Sequence, residues 1–280
     1  MHKEIRDKLN YRVFGNGFPV VFLHGFLEST TMWNYLDLEK APFQSILIDL
    51  PGHGDSGLND SNESPSMKYM ALEVAKLLEE LNIDQYQVVG HSMGGYVAVE
   101  LKELDPKCEK VVLLNSNFWE DPIEKKKDRV RIADIVLKAK DLFINEAIPG
   151  LFYRHNRKDS AVIELINEAK KMEAVSIAYA SLAMRNREEK STLVKENATD
   201  FLILHGRHDP IISTEKWKSE LKDISVSFEI VEETGHMSHI ENPTKILKSI
   251  IDFLGFNKKK QLSIFWPKIF ILQMHRLLLY

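Results

Sequence analysis

The chain has 280 residues, of which 44% are hydrophobic and 28% are charged, values that exclude a disordered, collagen-like or coiled-coil protein. The segment 257–280 carries five basic side chains and no acidic one, so a formal net charge of −4 for the whole chain leaves −9 on the remaining residues. An acidic body argues against binding to nucleic acid, which needs a positive field. The single cysteine, Cys108, cannot form an internal disulfide, and the first residues lack the apolar segment of a signal peptide, so we expect a cytoplasmic protein.

Seven short segments predict β-strands. The middle five are apolar runs, as expected for strands of a parallel sheet that is covered on both faces. Helical patterns lie between them, the clearest being an apolar stripe from Met67 to Leu81. This alternation predicts an α/β fold with a doubly wound, mostly parallel sheet of seven or eight strands. The predicted strands are 9–14, 19–23, 45–48, 86–89, 111–114, 201–204 and 225–231.

The alternation stops between residues 119 and 195, where several amphipathic helices follow one another. This segment predicts a helical insertion between two strands of the sheet. It carries 16 basic and 13 acidic residues. Two interpretations of this local excess stay open: solvated helix faces, or a lid over a site that prefers an acidic substrate.

The pentapeptide Gly90-His91-Ser92-Met93-Gly94 directly follows a predicted strand and precedes a predicted helix. In this context the motif G-x-S-x-G forms a sharp turn, whose small glycines let a strained serine project its hydroxyl group. The turn also places Ser92 at the positive end of a helix, which favours the oxyanion that an attacked carbonyl becomes. Ser92 is therefore the candidate nucleophile.

Further motifs each follow a predicted strand, and with the Ser92 turn they resemble the α/β-hydrolase fold superfamily, in its branch of small capped serine esterases. They are His24-Gly25-Phe26, the segment from Asp49 to Ser56, the segment from His205 to Asp209, and Gly235-His236. The resemblance covers about residues 9 to 255. It implies a hydrolase core of residues 1–118 and 196–255, a helical cap of residues 119–195, and a basic and apolar tail of residues 256–280 that does not fit the family.

A serine hydroxyl needs a neighbouring base, and that base needs a group that fixes its tautomer. We predict that Ser92, His236 and Asp209 fill these catalytic roles, in the chain order Ser, Asp, His that the fold implies. Some relatives carry the acid after the preceding strand, but residues 115–117 there read Asn-Ser-Asn and offer no carboxylate. The family pattern places the base directly after a glycine, which favours His236 over its rival His239.

The resemblance also implies an oxyanion hole formed by the backbone N–H groups of Phe26 and Met93, although both residues could instead simply line the pocket. His24, His53 and Gly54 are interpreted as turn-forming residues, and His91 as a structural residue beneath the Ser92 turn. We predict no cofactor. We also predict no metal, because the His236 and His239 pair lacks a third ligand.

The leading hypothesis for function is hydrolysis of a small carboxylic ester through an acyl-enzyme. The alternative is a cofactor-free lyase or C–C hydrolase of the menaquinone-pathway type, in which the same triad abstracts a proton and Arg154, Arg157 or Arg185 grips substrate carboxylates. A non-enzymatic ligand-binding protein is a third hypothesis, but all three triad residues are present. The tail is interrupted by polar residues and falls short of a membrane span, so an amphipathic membrane anchor is possible but less favoured than a segment without a role.

Overall fold

The computed structural model of the protein describes residues 8–58, 64–154 and 159–256. Its strands form one sheet in the order β1-β3-β2-β4-β5-β6-β7. Only β1 runs antiparallel to its neighbour, and the other strands are parallel. The predicted α/β fold with a doubly wound, mostly parallel sheet is therefore confirmed, with seven strands in the described ranges. The strands are β1 (Tyr11–Phe14), β2 (Pro19–Leu23), β3 (Gln44–Ile48), β4 (Tyr86–His91), β5 (Cys108–Leu114), β6 (Phe201–Gly206) and β7 (Ser227–Val231).

Helices cover both faces of the sheet and connect its strands. Ser66 caps the first helix, α1 (Met67–Glu80), by accepting a hydrogen bond from the N–H of Tyr69 at 3.1 Å. Its apolar stripe, which the sequence predicts, is buried from Met67 to Leu78. The helices are α1 (Met67–Glu80), α2 (Met93–Leu104), α3 (Ile123–Ala147), α4 (Ser160–Lys171), α5 (Ala174–Arg185), α6 (Ser191–Glu196), α7 (Thr214–Glu220), α8 (Ser238–Glu241) and α9 (Pro243–Leu254), with 3-10 turns at Thr30–Tyr35, Leu38–Lys40, Pro149–Leu151 and Ala198–Asp200.

The two faces of the sheet bury separate groups of apolar side chains, because successive residues of a strand point to opposite sides. On β2, Val21 packs with α1 and α2. Its neighbours Val20 and Phe22 pack on the opposite face, where α9 lies. Burial on both faces explains why the central strands are continuous apolar runs rather than alternating ones.

The insertion, residues 119–195, leaves the sheet after β5 and returns to it before β6, and it contains α3, α4, α5 and α6. Its two ends meet: the N–H of Lys190 donates to the carbonyl oxygen of Phe118 at 2.9 Å. The buried guanidinium of Arg187 donates to the Trp119 carbonyl at 3.0 Å and to the Asp121 carboxylate at 2.7 Å. The chain therefore leaves and rejoins the sheet at nearly the same point.

The predicted tail, residues 256–280, lies outside the described residues apart from Phe256. The Phe256 ring packs against Phe18 and Phe43, with ring centroids 6.4 and 5.2 Å apart. In the part of the chain that the structure describes, no helix is both long and apolar enough to span a bilayer.

Candidate active site

Ser92 lies in a strained turn between β4 and α2, with φ 49° and ψ −115°. The glycines around it are sterically required. A Cβ atom at Gly90 would stand 2.4 Å from the carbonyl oxygen of Gly94, and one at Gly94 would stand 2.3 Å from that of Leu23. Close backbone packing thus holds the serine in a conformation that most residues avoid.

The structure brings Ser92, His236 and Asp209 together at the carboxyl edge of the sheet. The Nε2 atom of His236 lies 2.9 Å from Ser92 Oγ, and its Nδ1 atom lies 2.8 Å from Asp209 Oδ2. Burial raises the pKa of Asp209. The His236 ring and the hydrogen bonds to the carboxylate lower it by more, so that the pKa of Asp209 falls well below the usual range. Asp209 is therefore ionised and accepts the Nδ1 proton, which leaves Nε2 free to accept the proton of the Ser92 hydroxyl.

Asp209 is held by donors besides His236. Its Oδ1 atom accepts hydrogen bonds from the N–H groups of Ile211 and Ile212 at 2.7 and 3.2 Å. Its Oδ2 atom accepts one from Asn115 Nδ2 at 3.0 Å, and the Ser238 hydroxyl donates to Asn115 Oδ1. The Ser238 contact fixes which end of the Asn115 amide faces the carboxylate.

His239, the rival base, lies outside this arrangement. It is fully buried, and its ring packs against His91 and Trp33 at centroid distances of 4.8 and 5.5 Å. Neither ring nitrogen has a hydrogen-bond partner among the described residues. Burial, and then the nearby His91, lower the pKa of His239 well below its usual value, so the ring is neutral.

The two residues predicted to supply the oxyanion hole lie in the turns that follow two neighbouring strands, at corresponding positions. Leu23 of β2 pairs with Gly90 of β4, and Phe26 and Met93 each follow three residues after these partners. Met93 begins α2, so its N–H has no acceptor within that helix. Among the described residues no hydrogen bond from the Phe26 N–H is found.

The histidines interpreted as turn-forming residues are buried and bind backbone groups. His24 Nε2 accepts from the N–H of Leu50 at 2.9 Å, so its Nδ1–H donates to the Gly25 carbonyl at 2.8 Å. His53 contacts the Pro51 carbonyl at 3.1 Å, and burial, with the nearby His24, lowers its pKa to about 3. Gly54 packs so closely that a Cβ atom would stand 2.3 Å from an Asp49 carboxylate oxygen.

The insertion contacts the loop that carries His236. The His236 N–H donates to the Leu151 carbonyl at 2.8 Å. The Glu241 carboxylate accepts from the N–H groups of Tyr153 and Gly235, at 2.8 and 2.7 Å. The segment at Leu151 to Tyr153 therefore lies directly on the candidate base.

Two of the arginines predicted as ligands for substrate carboxylates, Arg154 and Arg185, are exposed. Arg154 is exposed and pairs with Glu233 at 2.9 Å. Arg185 is exposed and donates to the side chain of the adjacent Asn186. Arg157 lies outside the described residues. Buried Arg187, in contrast, is already paired with Asp121.

Several residues that shape the site were not singled out from the sequence. Asn115 stands in a segment that offers no carboxylate, and nothing in the local sequence marks Glu28 or Glu241. Their signal is weak: each is a polar residue in a turn or short helix at the edge of the sheet where buried strands end, a place where many polar residues have no such role. No group of described residues has three side chains arranged to hold a metal ion.

The sequence model of the alpha/beta hydrolase fold family matches residues 19–243. A thermophilic esterase from Thermogutta terrifontis, solved with malate bound, is 26% identical and superposes with a TM-score of 0.80, covering 88% of this chain and 92% of its own. A candidate esterase/lipase from Mycoplasma genitalium is 24% identical over 86% of this chain and 90% of its own length. The 2-succinyl-6-hydroxy-2,4-cyclohexadiene-1-carboxylate synthase of Citrobacter koseri is 24% identical over 84% and 93%.

The chain therefore belongs to the α/β-hydrolase fold family. This membership supports hydrolase activity. The names of the relatives, however, describe different reactions.

Proposed function

We propose that the protein is a serine hydrolase that cleaves a small, uncharged carboxylic ester through an acyl-enzyme on Ser92. The proposal rests on one observation above all: His236 links Ser92 Oγ and the Asp209 carboxylate through hydrogen bonds of 2.9 and 2.8 Å. A serine in this arrangement has a base for its proton, and the base has a carboxylate that stabilises its positive form.

The chemistry follows from this arrangement. His236 Nε2 takes the hydroxyl proton while Ser92 Oγ attacks the ester carbonyl, and the N–H groups of Phe26 and Met93 receive the oxyanion. The C–O bond to the alcohol then breaks, and the proton on His236 goes to the leaving oxygen. A water molecule, deprotonated by the same histidine, then attacks the acyl-enzyme; the bond from the acyl carbon to Ser92 Oγ breaks, and His236 returns the proton to Ser92 Oγ as the carboxylic acid leaves.

We further propose that the insertion acts as the cap of this site. The contacts of Leu151 and Tyr153 with the His236 loop support that role. Leu151 accepts from the His236 N–H, and Tyr153 donates to Glu241 in the helix after that loop, so in this proposal the segment forms a wall of the substrate pocket beside the base. A cap of this kind excludes water and sets which acyl groups fit.

A second candidate function is a lyase or C–C hydrolase in which the same triad abstracts a proton. The Citrobacter koseri relative supports it, since that protein's name describes a synthase that forms a carboxylate. Gripping such a substrate needs free cations. In the described part of the insertion, however, Arg154 and Arg185 are exposed and Arg187 is paired, which favours the ester.

The test compares two esters with four-carbon acyl chains, p-nitrophenyl butyrate and p-nitrophenyl hemisuccinate, the second of which carries a terminal carboxylate. We expect the butyrate to be hydrolysed at least as well as the hemisuccinate at low salt. Ser92→Ala should lower kcat by about 10³-fold or more. Ser45→Ala, which removes a buried hydroxyl without a partner among the described residues, should retain wild-type activity.

A fluorophosphonate probe, followed by peptide mapping, should label Ser92. Labelling at another serine, or an active enzyme that is not labelled, would show that Ser92 is not the nucleophile. A strong preference for the hemisuccinate that is lost in Arg154→Ala would favour the second candidate.

A further inference from the structure

A buried carboxylate, Glu28, lies where three segments of the candidate site meet. Glu28 follows the turn after β2 and is 5% exposed. Its Oε2 atom accepts a hydrogen bond from the N–H of Gly25 at 2.5 Å and lies 3.0 Å from His91 Nδ1. A Cβ atom at Gly25 would stand 2.7 Å from Glu28 Oε2 and 2.9 Å from His91 Nδ1. The glycine therefore allows the carboxylate and the imidazole to approach.

The two acceptors around His91 define its protonation state. His91 Nε2 lies 2.9 Å from the carbonyl oxygen of His236, which can only accept, so Nε2 carries a hydrogen. An ionised Glu28, whose Oε2 also accepts from the Gly25 N–H, can only accept from the facing Nδ1, so beside this carboxylate Nδ1 also carries a hydrogen. His91 with both hydrogens is an imidazolium ion, and Glu28 is its counter-ion.

The pKa directions agree with this assignment. Burial raises the pKa of Glu28, but the charge and hydrogen bond of His91 outweigh it and bring that pKa down to about 2. Burial lowers the pKa of His91, and the Glu28 carboxylate more than reverses this, so the pKa of His91 is raised. The adjacent His239 ring is neutral and presents no competing charge.

His91 and the two backbone groups that the ion pair binds each adjoin a group that the proposed reaction uses. Gly25 precedes Phe26, which would supply an oxyanion donor. His91 precedes Ser92, the candidate nucleophile. The His236 carbonyl belongs to the candidate base itself. One buried pair thus joins the turn after β2, the turn after β4 and the loop after β7.

We propose that the buried Glu28–His91 ion pair positions the nucleophile, the base and the oxyanion turn relative to one another, so that Glu28 and His91 are positioning residues for hydrolysis at Ser92. This inference rests on the proposed function. The 2.9 Å contact between Ser92 and His236 spans two loops that are distant in sequence, and the His91 side chain bonds across the same two loops through the His236 carbonyl.

The pair also balances charge near the base. The His91 and His236 rings lie 5.1 Å apart. When His236 accepts the serine proton, an uncompensated His91 cation would oppose its new charge. The Glu28 carboxylate cancels the His91 charge, so the Asp209 carboxylate remains to stabilise the positive His236.

The test is the substitution Glu28→Gln, which keeps the shape and the acceptor for Gly25 but removes the charge. We expect kcat for p-nitrophenyl butyrate to fall about tenfold to a hundredfold, with KM changed less than about threefold, because small misplacements of reacting groups act on the chemical step. Ser92 labelling by the fluorophosphonate should slow by a similar factor. The control is Glu100→Gln: Glu100 is also 5% exposed and lies 3.5 Å from Lys190, and its loss should change kcat by less than about twofold.

Coupling separates positioning from general packing. If Glu28 acts through His91, the double variant Glu28→Gln/His91→Gln should be about as slow as the slower single variant. Additive losses, a kcat for Glu28→Gln within about twofold of wild type, or an equal loss in Glu100→Gln would overturn the inference. If Glu28→Gln does not fold, His91→Gln carries the same kinetic expectation.

A measurement on the unaltered protein completes the test. Nitrogen-15 NMR of the histidine rings at pH 7 should show both nitrogens of His91 protonated, and a neutral His91 would overturn the inference. A wild-type protein that neither hydrolyses esters nor reacts with the probe would instead overturn the proposed function, whatever the state of His91.

Discussion

His236 and His239 show how strongly the surroundings of one residue decide its chemistry. They lie three residues apart in one short segment, and both are buried. His236 has a hydrogen-bond partner for each ring nitrogen, whereas His239 has none among the described residues. The first ring can therefore relay a proton, and the second can only fill space.

The same substitution at both positions tests this difference. We expect His236→Leu to lower kcat by about 10³-fold or more, because the serine loses its base. His239→Leu should keep kcat within about threefold and leave stability nearly unchanged, since leucine replaces a neutral ring that has no polar partner. Steady-state kinetics and urea unfolding measure both effects. The reverse order of activities would assign the base to His239.

The Glu28–His91 pair predicts a particular dependence of stability on pH. The pKa of Glu28 falls from 4.5 to about 2 on folding, so its contribution is complete above pH 4.5 and is lost as pH falls toward 2. The pKa of His91 is raised above 6.5, so its contribution is complete below pH 6.5 and is lost as pH rises through the folded value. The free energy of unfolding that the pair contributes is thus greatest between pH 4.5 and 6.5.

Urea unfolding of the wild type and of Glu28→Gln at pH 3.5, 5.5 and 9 measures this contribution as a difference. We expect the difference to be largest at pH 5.5 and smaller at both other values, because the variant lacks the pair. A difference that does not change with pH would show that the two groups are not ionised together.

At the scale of elements, strain collects in the turns at the carboxyl ends of the central strands. Leu27, Ser92 and Asn115 follow β2, β4 and β5, and all three have positive φ, at 65°, 49° and 47°. None of them is a glycine; Leu27 and Ser92 hold a backbone conformation that their side chains disfavour, whereas asparagine adopts it more readily. The three turns surround the same candidate site, where the packing of the sheet supports them.

The sequence predicts the strands and the Ser92 turn well because their signals are local. A buried strand needs a continuous apolar run, and the turn needs its glycines within a few residues of the serine. Contacts between distant segments leave no such mark. Glu28 reaches His91 across 63 positions, and Asn115 reaches Asp209 across 94, so only the folded chain shows what these polar residues bind.

The ends of the insertion give a prediction for element stability. Arg187 binds the Asp121 carboxylate and two backbone carbonyls, and its guanidinium lies 4.1 Å from the Tyr96 ring. Arg187→Met removes these contacts, while Asp121 keeps its contact with Arg129 Nε at 3.1 Å, so we expect the substitution to lower the free energy of unfolding by about 1–3 kcal/mol. Urea unfolding measures the loss.

The matched control is Arg185→Met, two positions earlier on an exposed site, which should change the free energy of unfolding by no more than about 0.5 kcal/mol. The double variant Arg187→Met/Asp121→Leu should recover part of the loss, because the buried carboxylate that Arg187 paired with is then absent as well. Equal effects of the two arginine substitutions would mean that Arg187 does not hold the ends of the insertion together.

At the scale of the whole molecule, the sheet and the insertion contribute different parts of the candidate site. The sheet carries Ser92, Asp209 and His236 at the ends of three of its strands, and both of its faces are buried. The insertion reaches the site through a short segment at Leu151 to Tyr153. The candidate triad and the segment that adjoins it thus belong to different parts of the chain.

The meeting of Phe118 and Lys190 makes the stretch between them a closed loop on a continuous sheet, because β5 and β6 pair directly beside it. The entropy lost in closing a loop grows only with the logarithm of its length, so doubling that length costs about 0.6 kcal/mol. The entropy of loop closure therefore sets little limit on the length of an insertion at this point. The insertion of such a protein can thus change in length while the strands that bear the candidate triad remain as they are.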